Sequence, residues 1–236
     1  MEIPILYQDE NFIAVNKPSG YVVHPSAWVG RDELPSVMQL LRNAIGQKVY
    51  SAHRLDRQTS GVLWFSTNPD ADKAIKSLFE NRAVSKCYHG IVRGFTEDSF
   101  TIDKPLKKEL IGNEQKAITH FKCLAKVELP IAIGRYPSSR FSFLQIDAET
   151  GRMHQIRRHL SHYRHPLLGD KKYGDNKYNA FIRDQFGVDH LVLHCYSTKF
   201  AHPFTQKAVE VSVNFPDDLA GMCKGIFENI AIDFTS

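Results

Sequence analysis

Apolar positions fall in short blocks along most of the chain. Runs rich in Val, Ile, Phe and Tyr occupy Ile3–Tyr7, Phe12–Asn16, Gly61–Ser66, Tyr88–Val92, Ala117–Val127, Phe141–Asp147, Leu191–Phe200 and Ala208–Val213. Such side chains suit a pleated, half-buried surface, and turn residues bound most of the runs, so each predicts a β-strand. Helical patterns are fewer. Ser36 opens Val37-Met38-Gln39-Leu40-Leu41 and Gly46 stops it. Asn68-Pro69-Asp70 supplies an N-cap, a proline at the first helical position and an acidic first turn, ahead of the stripe Ile75, Leu78, Phe79. Met153, Ile156, Leu160 and Tyr163 recur at helical spacing from about Arg152 to Tyr163 and are expected to face a core. A last helix follows Pro216. Strands outnumber helices without regular βαβ alternation. The pattern therefore predicts an α+β fold with a large mixed, mostly antiparallel β-sheet flanked by helices. No repeat, low-complexity tract or Ser/Gly-rich linker divides residues 1–236, which read as a single domain.

Composition narrows the class. The 236 residues are 42% hydrophobic and 24% charged, as in a globular protein with a substantial core. No apolar run approaches the roughly 18 residues that cross a bilayer, and the first ten residues carry no signal-peptide pattern. The C-terminal residues do not form a prenylation box. Cysteines at 87, 123, 195 and 223 are too sparse for a disulfide scaffold, so reduced thiols and a cytoplasmic location are expected, with no membrane partner. A net charge of +4 says little by itself, but residues 151–200 hold nine Lys and Arg against four Asp and Glu, and six of the eleven His. The last 36 residues, with two cations against five carboxylates, mask that excess. A local basic patch suits either a solvated face or an anionic partner, nucleic acid first.

Gly-x-Gly-x-x-Gly, Walker-type, His-Glu-x-x-His and Gly-x-Ser-x-Gly motifs are absent, which argues against nucleotide-dependent, zincin and α/β-hydrolase chemistry. The run His53-Arg54-Leu55-Asp56-Arg57-Gln58-Thr59-Ser60-Gly61 precedes a predicted strand. Asp56 lies there between two guanidinium groups, beside Thr59, Ser60 and Gly61, which can form a tight polar turn. Opposite charge and hydrogen bonds would both favour its ionised form. A carboxylate so held can act as nucleophile or base, or can simply pair with Arg and cap a turn.

The run resembles the catalytic motif His-Arg-Leu-Asp-x-x-Thr-Ser-Gly of the RluA-type pseudouridine synthases at every defined position. Val15-Asn16-Lys17-Pro18-Ser19-Gly20, Lys86-Cys87-Tyr88 and Thr150-Gly151-Arg152-Met153-His154-Gln155-Ile156-Arg157 resemble further blocks of that family, with His165-Pro166-Leu167-Leu168-Gly169-Asp170 after them. The likeness runs over residues 5–213. Gly134-Arg135-Tyr136-Pro137, Arg157-Arg158-His159-Leu160 and Gly174-Asp175 are most similar to a tRNA-modifying subgroup. Many relatives that act on ribosomal RNA add an S4-type RNA-binding module, which is not expected here. Cys195 stands where the family commonly has Ala, a small change expected within a buried strand.

The resemblance implies that the chain is an isomerase converting a specific uridine of tRNA, expected to be uridine 65, to pseudouridine. A ribosomal RNA target and a non-catalytic RNA-binding role are the alternatives. The resemblance makes Asp56 the catalytic aspartate, Arg157 its ion-pair partner, and Tyr88 the ring that packs on the target uracil. Arg54 is expected to occupy the space that an extruded base leaves, as a long planar cation can. Arg57, Thr59, Arg152, His154 and Arg158 complete the expected substrate contacts, with Lys171, Lys172 and Arg183 as further phosphate contacts. His159, His162 and His165 have metal-ligand spacing, but neighbouring guanidinium groups oppose a divalent cation, so no metal is expected. No cofactor and no obligate protein partner are expected either.

Overall fold

The computed structural model describes residues 2–24, 35–108, 112–228 and 230. In chain order the elements are β1 (Ile5–Gln8), β2 (Phe12–Lys17), α1 (Val37–Ile45), β3 (Tyr50–Ser51), β4 (Ser60–Ser66), α2 (Pro69–Glu80), β5 (Ser85–Arg93), β6 (Ser99–Asp103), β7 (Leu106–Lys107), β8 (Glu114–Gln115), β9 (Ile118–Leu129), β10 (Ser139–Ala148), α3 (Gln155–His162), α4 (Asn176–Phe186), β11 (Leu193–Ala201), β12 (Ala208–Ser212) and α5 (Asp217–Ile226). They fall into two compact units. Unit 1 comprises Met1–Lys86 with Cys195–Val213, and unit 2 comprises Cys87–His194 with Asn214–Ser236.

In unit 1 the strand order is β1-β2-β4-β11, with β3 on β4 and β12 on β11. The β1–β2, β2–β4, β3–β4 and β11–β12 ladders are antiparallel. All seven residues of β4 are buried, so the strand reads as a continuous apolar run rather than an alternation. Trp64 anchors it. The indole Nε1 donates to Thr198 Oγ1 at 2.7 Å, and the ring centroid lies 4.9 Å from that of Phe200. Gly61 has φ +109°, and a Cβ there would stand 2.2 Å from the Cys195 carbonyl oxygen. Only glycine lets β11 run so close to β4 at that point. Cys195 is fully buried in β11, as expected of a small side chain in that strand.

In unit 2 the order is β5-β10-β9-β6, antiparallel throughout, with β7 and β8 as a separate antiparallel pair. Ile91, Phe141 and Phe143 of the sheet meet Tyr178 and Ile182 of α4 and Leu219, Met222 and Ile226 of α5 in one buried cluster. Fully burying side chains of this size contributes about 1.5–3 kcal/mol each. The α+β class with mostly antiparallel strands thus holds in both units.

The helix punctuation is largely as read from the sequence. Ser36 caps α1 in a capping box with Gln39, and Gly46 ends it in the left-handed conformation. Asn68 caps α2 with Pro69 at its first turn. Two expectations need correction. The third helix begins at Gln155 rather than near Arg152, because His154 takes a left-handed φ of +53°. Met153 and Tyr163, expected to face a core, are exposed at its two ends, whereas Gln155, Arg157 and His159 are buried with Ile156 and Leu160.

Candidate active site

Two clusters hold the residues singled out by the motifs, one in each unit. In unit 1, Asp56 lies in the loop that leads into β4, and the loop is tied to the turn after β2. Lys17 is fully buried, and its Nζ donates to the carbonyls of Pro18, Arg57 and Thr59 at 3.0, 2.9 and 2.8 Å. The Gly20 amide donates to Arg57 O and Arg57 Nε donates back to Gly20 O, both at 2.9 Å. Ser19 Oγ donates to Gln58 O at 2.8 Å, and the Thr59 amide closes the turn on Asp56 O at 3.1 Å. Burial pushes the Lys17 ammonium down to about 7, partly offset by the Asp56 charge. Three carbonyl acceptors match the three protons of an ammonium, so the charged form satisfies every contact.

His53 supports the same loop from behind. Its ring stacks on Phe79 of α2 at 4.4 Å, and Nε2 accepts the Trp64 amide at 3.2 Å. Burial holds its pKa at about 3, so the imidazole stays neutral and keeps that acceptor. Leu55 is buried, Arg54 and Arg57 are exposed, Thr59 is buried, and Asp56 is half-buried. The sequence therefore supplies a rigid turn with an apolar foot, on which a carboxylate and two guanidinium-bearing residues are displayed.

In unit 2, Tyr88 is buried in β5 opposite Ile146 of β10. Arg157 is also buried, and it forms a bidentate pair with Asp170, Nε to Oδ2 at 2.7 Å and Nη2 to Oδ1 at 2.9 Å. Burial alone would raise the Asp170 pKa. The bonds from Arg157 and the Tyr173 and Lys172 amides outweigh it and hold the carboxyl below its usual range. The Arg157 guanidinium also stands 5.2 Å from the Tyr173 ring centroid, and the Tyr173 hydroxyl meets His154 Nδ1 at 3.0 Å. Arg157, His154, Asp170 and Tyr173 are thus one packed group.

Arg152 and Arg158 sit apart from that group. Arg152 Nε donates to Lys116 O at 3.2 Å and Arg158 Nη1 to Lys107 O at 3.0 Å, so both tie the start of α3 to neighbouring backbone. Lys171 pairs with Asp189 and Arg183 with Asp184, while Lys172 lies over Tyr173. Periodicity gave no role to Lys17, Asp170 or Tyr173. The signal for Asp170 was its place in the His165–Asp170 block, 13 positions after Arg157.

The sequence pattern of the family described as RNA pseudouridylate synthase matches residues 11–162, which include the Asp56 loop, Tyr88 and Arg157. The chain belongs to this family. Membership makes it an RNA pseudouridine synthase, an isomerase. Among curated relatives, it is 42% identical over 227 residues to tRNA pseudouridine synthase C of Vibrio parahaemolyticus, covering 92% of each chain. It is 41% identical to the protein of that name from Vibrio cholerae, covering 93% of this chain and 94% of the other. Among solved structures, human RNA pseudouridylate synthase domain containing 1 superposes with a TM-score of 0.72 at 24% identity, over 91% of this chain and 84% of that one. Domain containing 4 gives 0.72 at 23%, over 94% and 92%. These two likenesses establish the fold.

Proposed function

We propose that the chain isomerises a uridine of tRNA to pseudouridine, with uridine 65 as the target, and that residues 1–236 act as one catalytic domain. The observation that carries the reading is the Asp56 loop. Every defined position of the catalytic motif is present, and three side-chain bonds from Lys17 and Ser19 fix the loop's backbone. The names of the curated relatives favour tRNA. A basic chain suits work on RNA, which we place in the cytoplasm.

In this reading the target base leaves its stack, at a cost of a few kcal/mol, and Arg54 fills the space behind it. Asp56 drives cleavage of the N1–C1′ bond, the uracil turns, and C5 bonds to C1′ while the C5 proton is lost and N1 gains one. Substrate and product are isomers, so the reaction consumes no redox equivalent and no nucleotide. Tyr88 packs on the uracil, and Arg157 serves as the ion-pair partner of Asp56. Arg57, Thr59, Arg152, His154 and Arg158 contact the surrounding RNA.

Asp56→Asn should abolish tritium release from 5-tritiated uridine in transcript tRNA while tRNA binding persists. Turnover by the variant at the wild-type rate would remove Asp56 from the chemistry. Chemical mapping of pseudouridine in tRNA and ribosomal RNA from a strain lacking the protein identifies the substrate. Loss confined to ribosomal RNA would overturn the tRNA assignment.

A further inference from the structure

A second group of cations and aromatic rings lies at the far end of β5 from Tyr88. Arg93 ends the strand five residues on, about 17 Å away at the rise of a β-strand. Its Nη1 pairs with Asp175 at 2.5 Å, and its guanidinium stands 5.8 Å from the Tyr178 ring centroid. Arg140, at the start of β10, lies 5.1 Å from the Phe95 centroid and pairs with Glu128. Between Glu128 and Arg140 in sequence runs the loop Gly134-Arg135-Tyr136-Pro137.

The loop is held at its base and open at its tip. Ile133 is buried in the unit 2 core and bridges to Tyr136. Gly134, with φ +70°, approaches Lys177 so closely that a Cβ would lie 3.0 Å from Lys177 Cδ and 3.2 Å from Nζ. Tyr136 itself is 53% exposed, more than any other large hydrophobic residue described. The Arg135 guanidinium stands 5.0 Å from its ring centroid, and Nη2 donates to the phenol oxygen at 2.9 Å. Arg135 and, more weakly, Arg93 pull the phenol below its ordinary pKa, a sign of local positive potential. Arg93 and Arg140 engage the two nearby carboxylates, Asp175 and Glu128, which leaves Arg135 and Lys177 as net positive charge.

We propose that Tyr136, Arg135 and Lys177 form an RNA-contact platform, on which an unstacked nucleotide of the substrate lays its base while the two cations hold flanking phosphates. An exposed ring presents a face that any base can stack on, and cations beside it track the backbone, which is the physics of sequence-tolerant single-strand binding. Arg135 covers one face and fixes the ring, so little conformational freedom is lost when a base takes the other. The inference rests on the tRNA reading above for the identity of the RNA.

The test compares full-length wild type, Tyr136→Ala, Tyr136→Phe and the Arg135→Ala/Lys177→Ala double variant in binding unmodified transcript tRNA across a salt series. Thermal unfolding of each variant checks that the fold is intact. Tyr136→Ala should weaken binding about tenfold and raise KM with kcat retained, while Tyr136→Phe, which keeps the stacking face, stays within about twofold. The double variant should flatten the slope of log K against log salt by about 0.7–0.9 for each phosphate that is no longer neutralised. Wild-type affinity and KM in Tyr136→Ala, or an unchanged slope in the double variant, would show an ordinary solvated surface. The wild-type arm judges the tRNA reading separately. If wild type modifies ribosomal RNA instead, the same variants are compared on that RNA and the platform stands or falls there.

Discussion

Arg157 and Asp170 are 8% and 1% exposed at the side chain, although Arg157 lies on a helix whose charged residues would ordinarily be assigned to solvent. A buried guanidinium is tolerable only when its charge is met and its donors are placed, and the bidentate geometry does both. Asp170→Asn removes the charge and turns one acceptor into a donor. That change should cost about 3–5 kcal/mol, the penalty for breaking a buried pair. The sign of the pH effect follows from the direction of the shift. Asp170 has a folded pKa below the usual carboxyl value, so its stabilisation is complete above that value and disappears as pH falls through the folded pKa. Urea unfolding of wild type and Asp170→Asn at pH 7 and pH 3 should show a wide gap at neutral pH that narrows in acid. An equal gap at both would mean that the carboxylate charge contributes nothing.

Among the elements, apolar runs and capped helices with an apolar stripe are legible, and elements that bury little or bind through polar side chains are not. Ser36, Gly46, Asn68 and Pro69 mark helix ends through backbone geometry that needs no neighbour, and the structure keeps each one. All eight long apolar runs became strands, whereas β6 alternates too weakly, and β3, β7 and β8 are too short, to register. Helix α4 was missed although Asp175 caps it and Gly187 ends it, because only Tyr178 and Ile182 of its eleven residues are buried. Helix α3 shows the converse. Gln155 bonds Ile118 O and Thr119 Oγ1, and His159 bonds Thr119 Oγ1 and Lys104 O, so polar side chains bind that face to β9 and to the segment just after β6. A hydrophobic period cannot reveal such a face. At the joint between β2 and β4 the motif was legible but its mechanics were not. Lys17→Met keeps the apolar stem and deletes three donors, leaving the carbonyls of Pro18, Arg57 and Thr59 to lose about 1–3 kcal/mol each where water cannot replace them. Tritium release should fall at least about tenfold with urea stability reduced. Unchanged release would mean that the loop holds its shape without the clamp.

At the scale of the whole molecule, the positive block at 151–200 is less open than a charge count suggests. Its four carboxylates are all engaged, Asp170 by Arg157, Asp175 by Arg93, Asp184 by Arg183 and Asp189 by Lys171. Electrostatic attraction for RNA therefore comes from cations that are not held this way, and position matters more than the total. The division into units carries its own prediction. A fragment ending at residue 194 lacks Cys195–Val213, and with it the Thr198 acceptor for Trp64, the Phe200 packing and the whole of β12. Such a fragment should show no cooperative unfolding transition from unit 1 by tryptophan fluorescence. A wild-type-like transition would show that β4 is stable without β11.

The same interleaving bears on how the protein is made. Residues Cys87–His194 of unit 2 interrupt unit 1, so the strands that complete the first unit are synthesised only after most of the second. At about 5–20 residues per second, the nascent β4, with its unbroken apolar face, waits roughly 6–25 s for residue 213 to follow residue 86 out of the ribosome. During that interval the β5-β10-β9-β6 sheet and α4 of unit 2 are made, α5 is still to come, and β4 still lacks β11 as its neighbour. Chaperone dependence in the cell should accordingly track β2 and β4 rather than the later-made core of α4 and α5.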